Sequence, residues 1–290
     1  MTNAGTSSES LIQNDVVRIH KVSAGCFAVV IDNPPVNLVD SQVFAGLQAV
    51  KSFAEDPANE VRVLVFESAN PEFFLNHISL SSPDQAGAAG PVSEHLAIQQ
   101  EWPAFSHWLS SSPVVTIATL RGRARGVGCE FAASTDMRFA SKENTRLCLL
   151  EVGFGALPGG GGLEWSQLLA GRARAMEFVL SSDDFDADTL EQYNLVNRAI
   201  PDAELDAYVY RLARRIASFN PAAVATVKSY LTKRQPIPSP ADLADTSAAA
   251  GGLMSADAGK AVVARLIAKA GGASFGYEVE LDLPKLCDAD

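Results

Sequence analysis

The run SSPVVTIATLRGRARGVGCEFAASTDMRFAS, residues 111–141, carries the pattern that decides the fold. VVTIATL (114–120) is β-branched and reads as a strand. A glycine-punctuated turn follows, from Gly122 to Gly128, and opens something helical. There Glu130 sits among Val127, Cys129, Phe131, Ala132 and Ala133. DMRFAS (136–141) then reads as a further strand. Strands alternating with helices indicate parallel α/β architecture. Glu130 is the anomaly, because a carboxylate in apolar company is costly unless it is paired or hydrogen-bonded. It can be a first-turn residue stabilised by the positive end of a helix dipole. It can equally be a carboxylate aimed into a site that the glycine turn builds.

Upstream, VVRIHKV (16–22) and CFAVVID (26–32) flank SAG and read as a hairpin. SQVFAGLQAVKSFAED (41–56) has helical spacing, with Val43, Leu47 and Val50 on one face. VRVLVFES (61–68) is an apolar strand, followed by PEFFLNHISLS and a loop rich in Ala, Gly and Pro, SSPDQAGAAGP, expected to be mobile. Residues 93–111 read as a helix interrupted by Pro103. Downstream, a short strand lies near Leu147–Leu150. After PGGGG (158–162) the periodicity turns helical over 163–170, 173–180, 187–193, 204–218, 222–233 and 255–270. The expected organisation is a tail over 1–15, an α/β core over 16–203 and a helical C-terminal region over 204–290.

The net charge of −11 disfavours nucleic acid and anionic membrane as partners. No run approaches the roughly 20 apolar residues of a membrane span. Cys26, Cys129, Cys148 and Cys287 are scattered, without a disulfide framework or zinc spacing, so a reducing, cytoplasmic setting is expected. The histidines have no metal-ligand spacing, and no metal is expected. GASFG (272–276) matches GxSxG, but no histidine follows it, as a hydrolase triad requires. No nucleotide-phosphate loop is present.

One constellation remains. Gly126-Val127-Gly128-Cys129-Glu130 and EVGFGALPGGGG (151–162) are glycine-rich turns, each with a glutamate beside it. FFLNH (73–77) precedes both, directly after an apolar strand. Glycines let backbone amides approach a ligand closely. Two such amides can grip one oxyanion, and two carboxylates facing that site can handle protons.

These segments resemble the enoyl-CoA hydratase/isomerase, or crotonase, superfamily over roughly residues 16–235. The similarity lies in residues 111–141, in LLEVGFGALPGGGG, in the following AGRARAMEFVL…LVNRAIP, and in FFLNHISL at the place of the first oxyanion turn. The resemblance implies an α/β fold: a crotonase-like spiral of ββα units with a helical C-terminal region that takes part in oligomer contacts. It implies trimers or hexamers, and an acyl-CoA thioester substrate with CoA as part of the substrate and no separate cofactor. It places oxyanion donors at the backbone N–H groups of Asn76 and Val127, and catalytic acids at Glu130 and Glu151. Pocket positions fall on His77, Gly126, Gly128, Leu150, Pro158 and Gly159.

Departures from the family pattern point to a specialised substrate. Asn76-His77-Ile78-Ser79 stands for Ala-Gly-x-Asp, Val127 for the middle glycine of three, and Cys148-Leu149-Leu150 for Gly-Gln-Pro. Asn194 occupies a common glycine position, where Asn tolerates left-handed backbone. The implied reaction is hydration; double-bond isomerisation, retro-aldol or other C–C cleavage, decarboxylation and a non-catalytic binding role stand beside it. Glu151 can also be a structural ion-pair partner, and His77 can line the site or pack under the turn. Arg121, Arg123 and Arg125 are expected to form a solvated face, and Arg172 and Arg174 to be salt-bridged on a helix surface.

Overall fold

The computed structural model describes residues 15–78, 92–270 and 276–288. Apart from Asp15 the expected tail lies outside these residues, as do the Ala-, Gly- and Pro-rich loop and GASFG up to its last glycine.

Strands β1 (Val17–Ser23) and β2 (Cys26–Ile31) form the expected antiparallel hairpin. Helix α1 (Ser41–Glu55) begins at Asp40, whose carboxylate accepts the N–H groups of Gln42 and Val43. Three pairs of strands follow. They are β3 (Val63–Ser68) with β4 (Phe73–Leu75), β5 (Val115–Leu120) with β6 (Arg123–Arg125), and β7 (Met137–Ser141) with β8 (Arg146–Cys148). Helix α2 (Val92–Ser111) links the first pair to the second, and α3 (Val127–Ser134) the second to the third.

Beyond them lie α4 (Gly162–Ala170), α5 (Arg172–Ser181), β9 (Phe185–Asp186), α6 (Ala187–Gln192) and β10 (Arg198–Ile200). The first strand of each pair joins a sheet ordered β1-β2-β3-β5-β7-β10, and the second joins a sheet ordered β4-β6-β8-β9. Apart from the β1–β2 hairpin and the β8–β9 pair the ladders are parallel. Each ββα turn therefore advances both sheets by one strand, which is the expected spiral. β5 is buried along its whole length, as a parallel strand covered on both faces must be.

Leu47, Phe66, Phe74, Phe105 and Phe131 belong to one buried apolar cluster that joins both sheets to helices α1, α2 and α3. The outer face of the larger sheet buries Val65 and Ile117 against Leu205, Val209 and Ala213 of α7 (Asp202–Ala217). Among the described residues four more α-helices follow, α8 (Pro221–Arg234), α9 (Pro240–Ser255), α10 (Asp257–Lys269) and α11 (Tyr277–Leu281), and then a 3₁₀ turn (Leu283–Cys287).

Three details differ from the sequence expectations. α2 runs through Pro103 without a break, because burial of Trp102, Phe105 and Leu109 outweighs the one hydrogen bond proline removes. The helix expected over 255–270 is α10 (Asp257–Lys269), but α9 before it was not anticipated. Its start is nonetheless written in Ser239-Pro240-Ala241-Asp242: the Ser239 hydroxyl accepts the Asp242 N–H, and the Asp242 carboxylate reaches back to the Ser239 N–H. The two- and three-residue strands β4, β6, β9 and β10 are too short to show a period of their own. Asn194 is left-handed, with φ of 61°, as its side chain allows.

Candidate active site

Helix α3 explains how Glu130 is tolerated. All eight of its residues are buried, and Glu130 is 2 % exposed. Its Oε1 accepts the N–H groups of Gly160 (2.8 Å) and Gly162 (3.0 Å). The run Gly159–Gly162 thus wraps the carboxylate in main chain. A Cβ on Gly160 would stand 2.2 Å from Glu130 Oε2, so close approach, and not backbone conformation, requires glycine there. Burial pushes the Glu130 carboxyl up to about 7, with the two backbone donors opposing the rise and the charge of Glu164 adding to it.

Glu151 comes from the turn after β8. Its main-chain oxygen accepts from the N–H groups of Phe154 and Ala156, which fixes the turn. The residue is half-buried, yet its Oε2 is shut off from solvent and has no partner. Burial, with Glu130 nearby, holds this carboxyl well above the usual carboxylate range. Its Oε1 lies 3.0 Å from the place a Cβ on Gly126 would take, and the Cβ of His77 lies 3.1 Å from the same point. Gly126, with φ of 53°, is where α3 begins, and it supplies no side-chain cap to the first N–H groups of the helix. The two glutamates, His77, Trp102 and Val127 line one cavity of about 120 Å³, with Ala250 and Met254 of α9 on its far side.

The start of α3 is pressed against the end of β4, since a Cβ on Gly128 would fall 1.8 Å from Leu75 O. Beyond β4 the Asn76 N–H donates to Asn37 O at 2.8 Å. His77 O accepts from the Val39 N–H at 3.1 Å. In a trans peptide N–H and C=O point in opposite directions, so the Ile78 N–H of that unit is aimed away from Val39. It has no backbone partner among the described residues, and Ile78 lines the cavity.

The model of the family described as enoyl-CoA hydratase/isomerase matches residues 21–253. The chain belongs to that family. It is 30% identical over 188 residues to the mitochondrial enoyl-CoA hydratase of Pongo abelii, an alignment covering 62% of this chain and 59% of that protein, less than two thirds of its length. It is 29% identical over 187 residues to the crotonyl-CoA hydratase of Syntrophomonas wolfei, covering 62% and 67%. A candidate enoyl-CoA hydratase from Streptomyces avermitilis, solved by crystallography, superposes with a TM-score of 0.83 at 36% identity, covering 96% of this chain and 98% of that one.

Within this hydratase/isomerase fold the expected positions separate into two groups. Glu130, Glu151, Val127, His77, Leu150 and Gly159 come together at the cavity, and Gly126 supports it from behind. Three do not. Asn76 is fully buried and its N–H is already taken by Asn37 O, so the free donor of this turn belongs to Ile78. Gly128 faces the β4 main chain, and Pro158 packs against Gly162. Trp102, Phe154, Ala250 and Met254 line the cavity without having been anticipated. Their apolar spacing in helices and loops is indistinguishable from that of core residues.

The arginine expectations also change. Arg125 is fully buried. It makes paired bonds to the Asp184 carboxylate and donates to the main-chain oxygens of Glu280 and Leu281. Arg123 donates to Leu281 O and pairs with Glu72, and Arg121 pairs with Asp202 and Asp206. Arg125 is an internal staple, while Arg121 and Arg123 are part-exposed and paired with surface carboxylates. Arg174 rests over the Tyr193 ring and donates to Gln192 O, with no carboxylate partner among the described residues. Beneath the cavity Glu280, 2 % exposed, accepts from the Asn76 amide at 2.9 Å and contacts His77 Nε2 at 3.2 Å, so His77 both lines the site and packs under the turn.

Proposed function

We propose that the chain is an acyl-CoA-processing enzyme of the hydratase type, adding water to a 2-enoyl thioester or removing it. The observation that carries this reading is two carboxyls, one from the first turn of α3 and one from the turn after β8, lining one small cavity beside the uncapped start of α3. The thioester oxygen accepts from the N–H groups of Ile78 and Val127, which stabilise the enolate as charge moves onto that oxygen. Glu130, fixed by two backbone donors and titrating near neutrality, is the base. Glu151, the more strongly raised of the two, carries the proton.

The water oxygen bonds to the β-carbon and gives a proton to Glu130. The π pair becomes the C–H bond at the α-carbon, using the Glu151 proton. Exchange of a proton between the two carboxyls restores the starting state. CoA enters as part of the substrate, and no separate cofactor is invoked. A panel of enoyl-CoA thioesters, followed by loss of the conjugated ultraviolet absorption and by mass spectrometry of the products, tests the assignment. Turnover of at least one is expected, and failure to bind or convert any thioester removes the reading.

Self-association belongs to the same proposal. α8 has no buried residue, and its Val227, Tyr230 and Leu231 are 60%, 52% and 66% exposed. Val227 and Leu231 line an apolar trough of about 940 Å³ together with Met137, Trp165, Leu168 and Phe219. An apolar surface of this kind on a single chain fits contact with further copies.

A further inference from the structure

Trp102 presents a hydrogen-bond donor with no partner among the described residues. The residue is 2 % exposed, and the donor is its Nε1. The ring is held by Phe44, Phe105 and Phe131, with centroids 5.8, 5.8 and 6.4 Å away. Buried indole N–H groups normally find an acceptor; Trp165 does so, donating to the Ser106 hydroxyl at 3.1 Å. Trp102 instead lines the cavity that holds both glutamates.

Opposite it stands Glu130 Oε2. Both backbone bonds to this carboxylate end on Oε1, so Oε2 is the oxygen left to a ligand. Glu130 Oε2 and Trp102 Nε1 lie 2.2 and 2.8 Å from one point, the Cβ position on Gly160. Their separation is at most those two lengths together, a span one oxygen bridges with ordinary hydrogen bonds of ~2.8 Å. The bridging group must accept from the indole and donate to the carboxylate. A hydroxyl or a water does both; a methylene does neither.

We propose that Trp102 Nε1–H binds the reacting oxygen: the attacking water in hydration, the β-hydroxyl in dehydration. This rests on the hydratase reading above and narrows its substrate to acyl groups whose β-carbon gains or carries an O–H. Glu130 then takes a proton from an oxygen the indole has already oriented, and Gly160 keeps the space between them open.

The test begins with the whole wild-type protein, labelled with ¹⁵N in its three tryptophans. 3-Hydroxybutyryl-CoA and butyryl-CoA, which differ in one oxygen, are the probes. The indole N–H signal that is missing in Trp102→Phe should move downfield with the hydroxylated thioester and not with the saturated one. Trp102→Phe keeps an aromatic ring in the stack. Its hydration kcat on a short enoyl-CoA should fall about tenfold to a hundredfold, the worth of one buried hydrogen bond. Exchange of the α-hydrogen of butyryl-CoA in D₂O needs the enolate but no oxygen at the β-carbon, and should stay within a factor of about three.

Equal shifts with both thioesters, no shift with either bound, or parallel losses of hydration and exchange would each overturn the tryptophan assignment while leaving the enolate reading intact. A wild-type protein that exchanges α-hydrogen but never hydrates overturns hydration and this inference together. One that binds no thioester removes the proposed function itself. If Trp102→Phe does not fold, its signal is assigned by elimination from Trp108→Phe and Trp165→Phe spectra, and the wild-type titration decides.

Discussion

At the scale of single residues the site is a problem in keeping two carboxyls close without solvent. Glu130 meets it with two peptide N–H donors, while burial and the charge of Glu130 raise the Glu151 carboxyl well above the usual carboxylate range. Activity should therefore fall as pH drops through about 7, where Glu130, the proposed base, takes up a proton. Both carboxyls are held above their unfolded values, so over that interval the folded chain keeps protons that the unfolded chain has released. This favours folding at acidic pH, and the advantage is lost as pH rises through the folded values. Glu130→Gln and Glu151→Gln should each lower turnover by roughly 10²–10⁴. Glu151→Gln should also raise Tm at pH 8, by roughly 2 °C or more per kcal/mol relieved, with the gain shrinking toward pH 5. Should Glu130→Gln stay active while Glu151→Gln is dead, a single-carboxylate isomerisation replaces hydration.

Gly160→Ala would put a methyl 2.2 Å from Glu130 Oε2 and 2.7 Å from Trp102 Cδ1, and both of those groups are held by neighbours. A kcat loss of about 10² or more follows if the base is displaced; steady-state kinetics beside a melting curve separates that from unfolding. The donor assignment has its own contrast. Ile78→Pro removes an N–H and should cost on the order of 10²–10³ in kcat. Asn76→Ala should lower stability by about 1–3 kcal/mol, because Glu280 loses the Asn76 amide, while kcat stays close to wild type.

At the scale of elements, the chain's last described segment is part of the site and not an appendage. α11 delivers Glu280 beneath Asn76 and His77, and its main-chain oxygens at Glu280 and Leu281 are gripped by Arg125, one residue before the glycine turn that starts α3. Cys287 fills the space under Gly153, a Cβ on which would stand 2.4 Å from the sulfur. Arg125→Met should destabilise the protein by about 3–5 kcal/mol in urea unfolding, since it leaves Asp184 and the Glu280 main-chain oxygen without their cation. Activity measured below the unfolding midpoint should fall as well, as the turn loses its support. If stability and activity both stay at wild-type level, the staple carries nothing.

At the scale of the whole molecule, the exposed face of α8 is what one chain leaves unfinished. Light scattering at micromolar concentration should give a multiple of 30.7 kDa. Leu231→Asp, at a position 66% exposed, should shift the particle toward the monomer mass. A wild-type monomer at that concentration would count against self-association. Among the described residues no helix is long and apolar enough to cross a membrane.

Residue order alone carried a large part of this protein. β-Branched runs, glycine turns and helical spacing were enough for the ββα spiral, because each signal is local: a strand, a turn and a helix are recognised within about ten residues of themselves. The placement of Glu130 and Glu151 beside glycine turns was legible for the same reason. What joins distant segments was not. Arg125 reads as one basic residue in a surface cluster until Asp184 and α11 fold over it. The Asn76 N–H reads as a free donor until Asn37 claims it, and Trp102 reads as a core aromatic until its Nε1 is found without a partner among the described residues, at the cavity that Glu130 lines. Hydrogen bonds across thirty to two hundred residues leave no periodicity in sequence. Only the packed chain decides which donors are satisfied and which are left for a ligand.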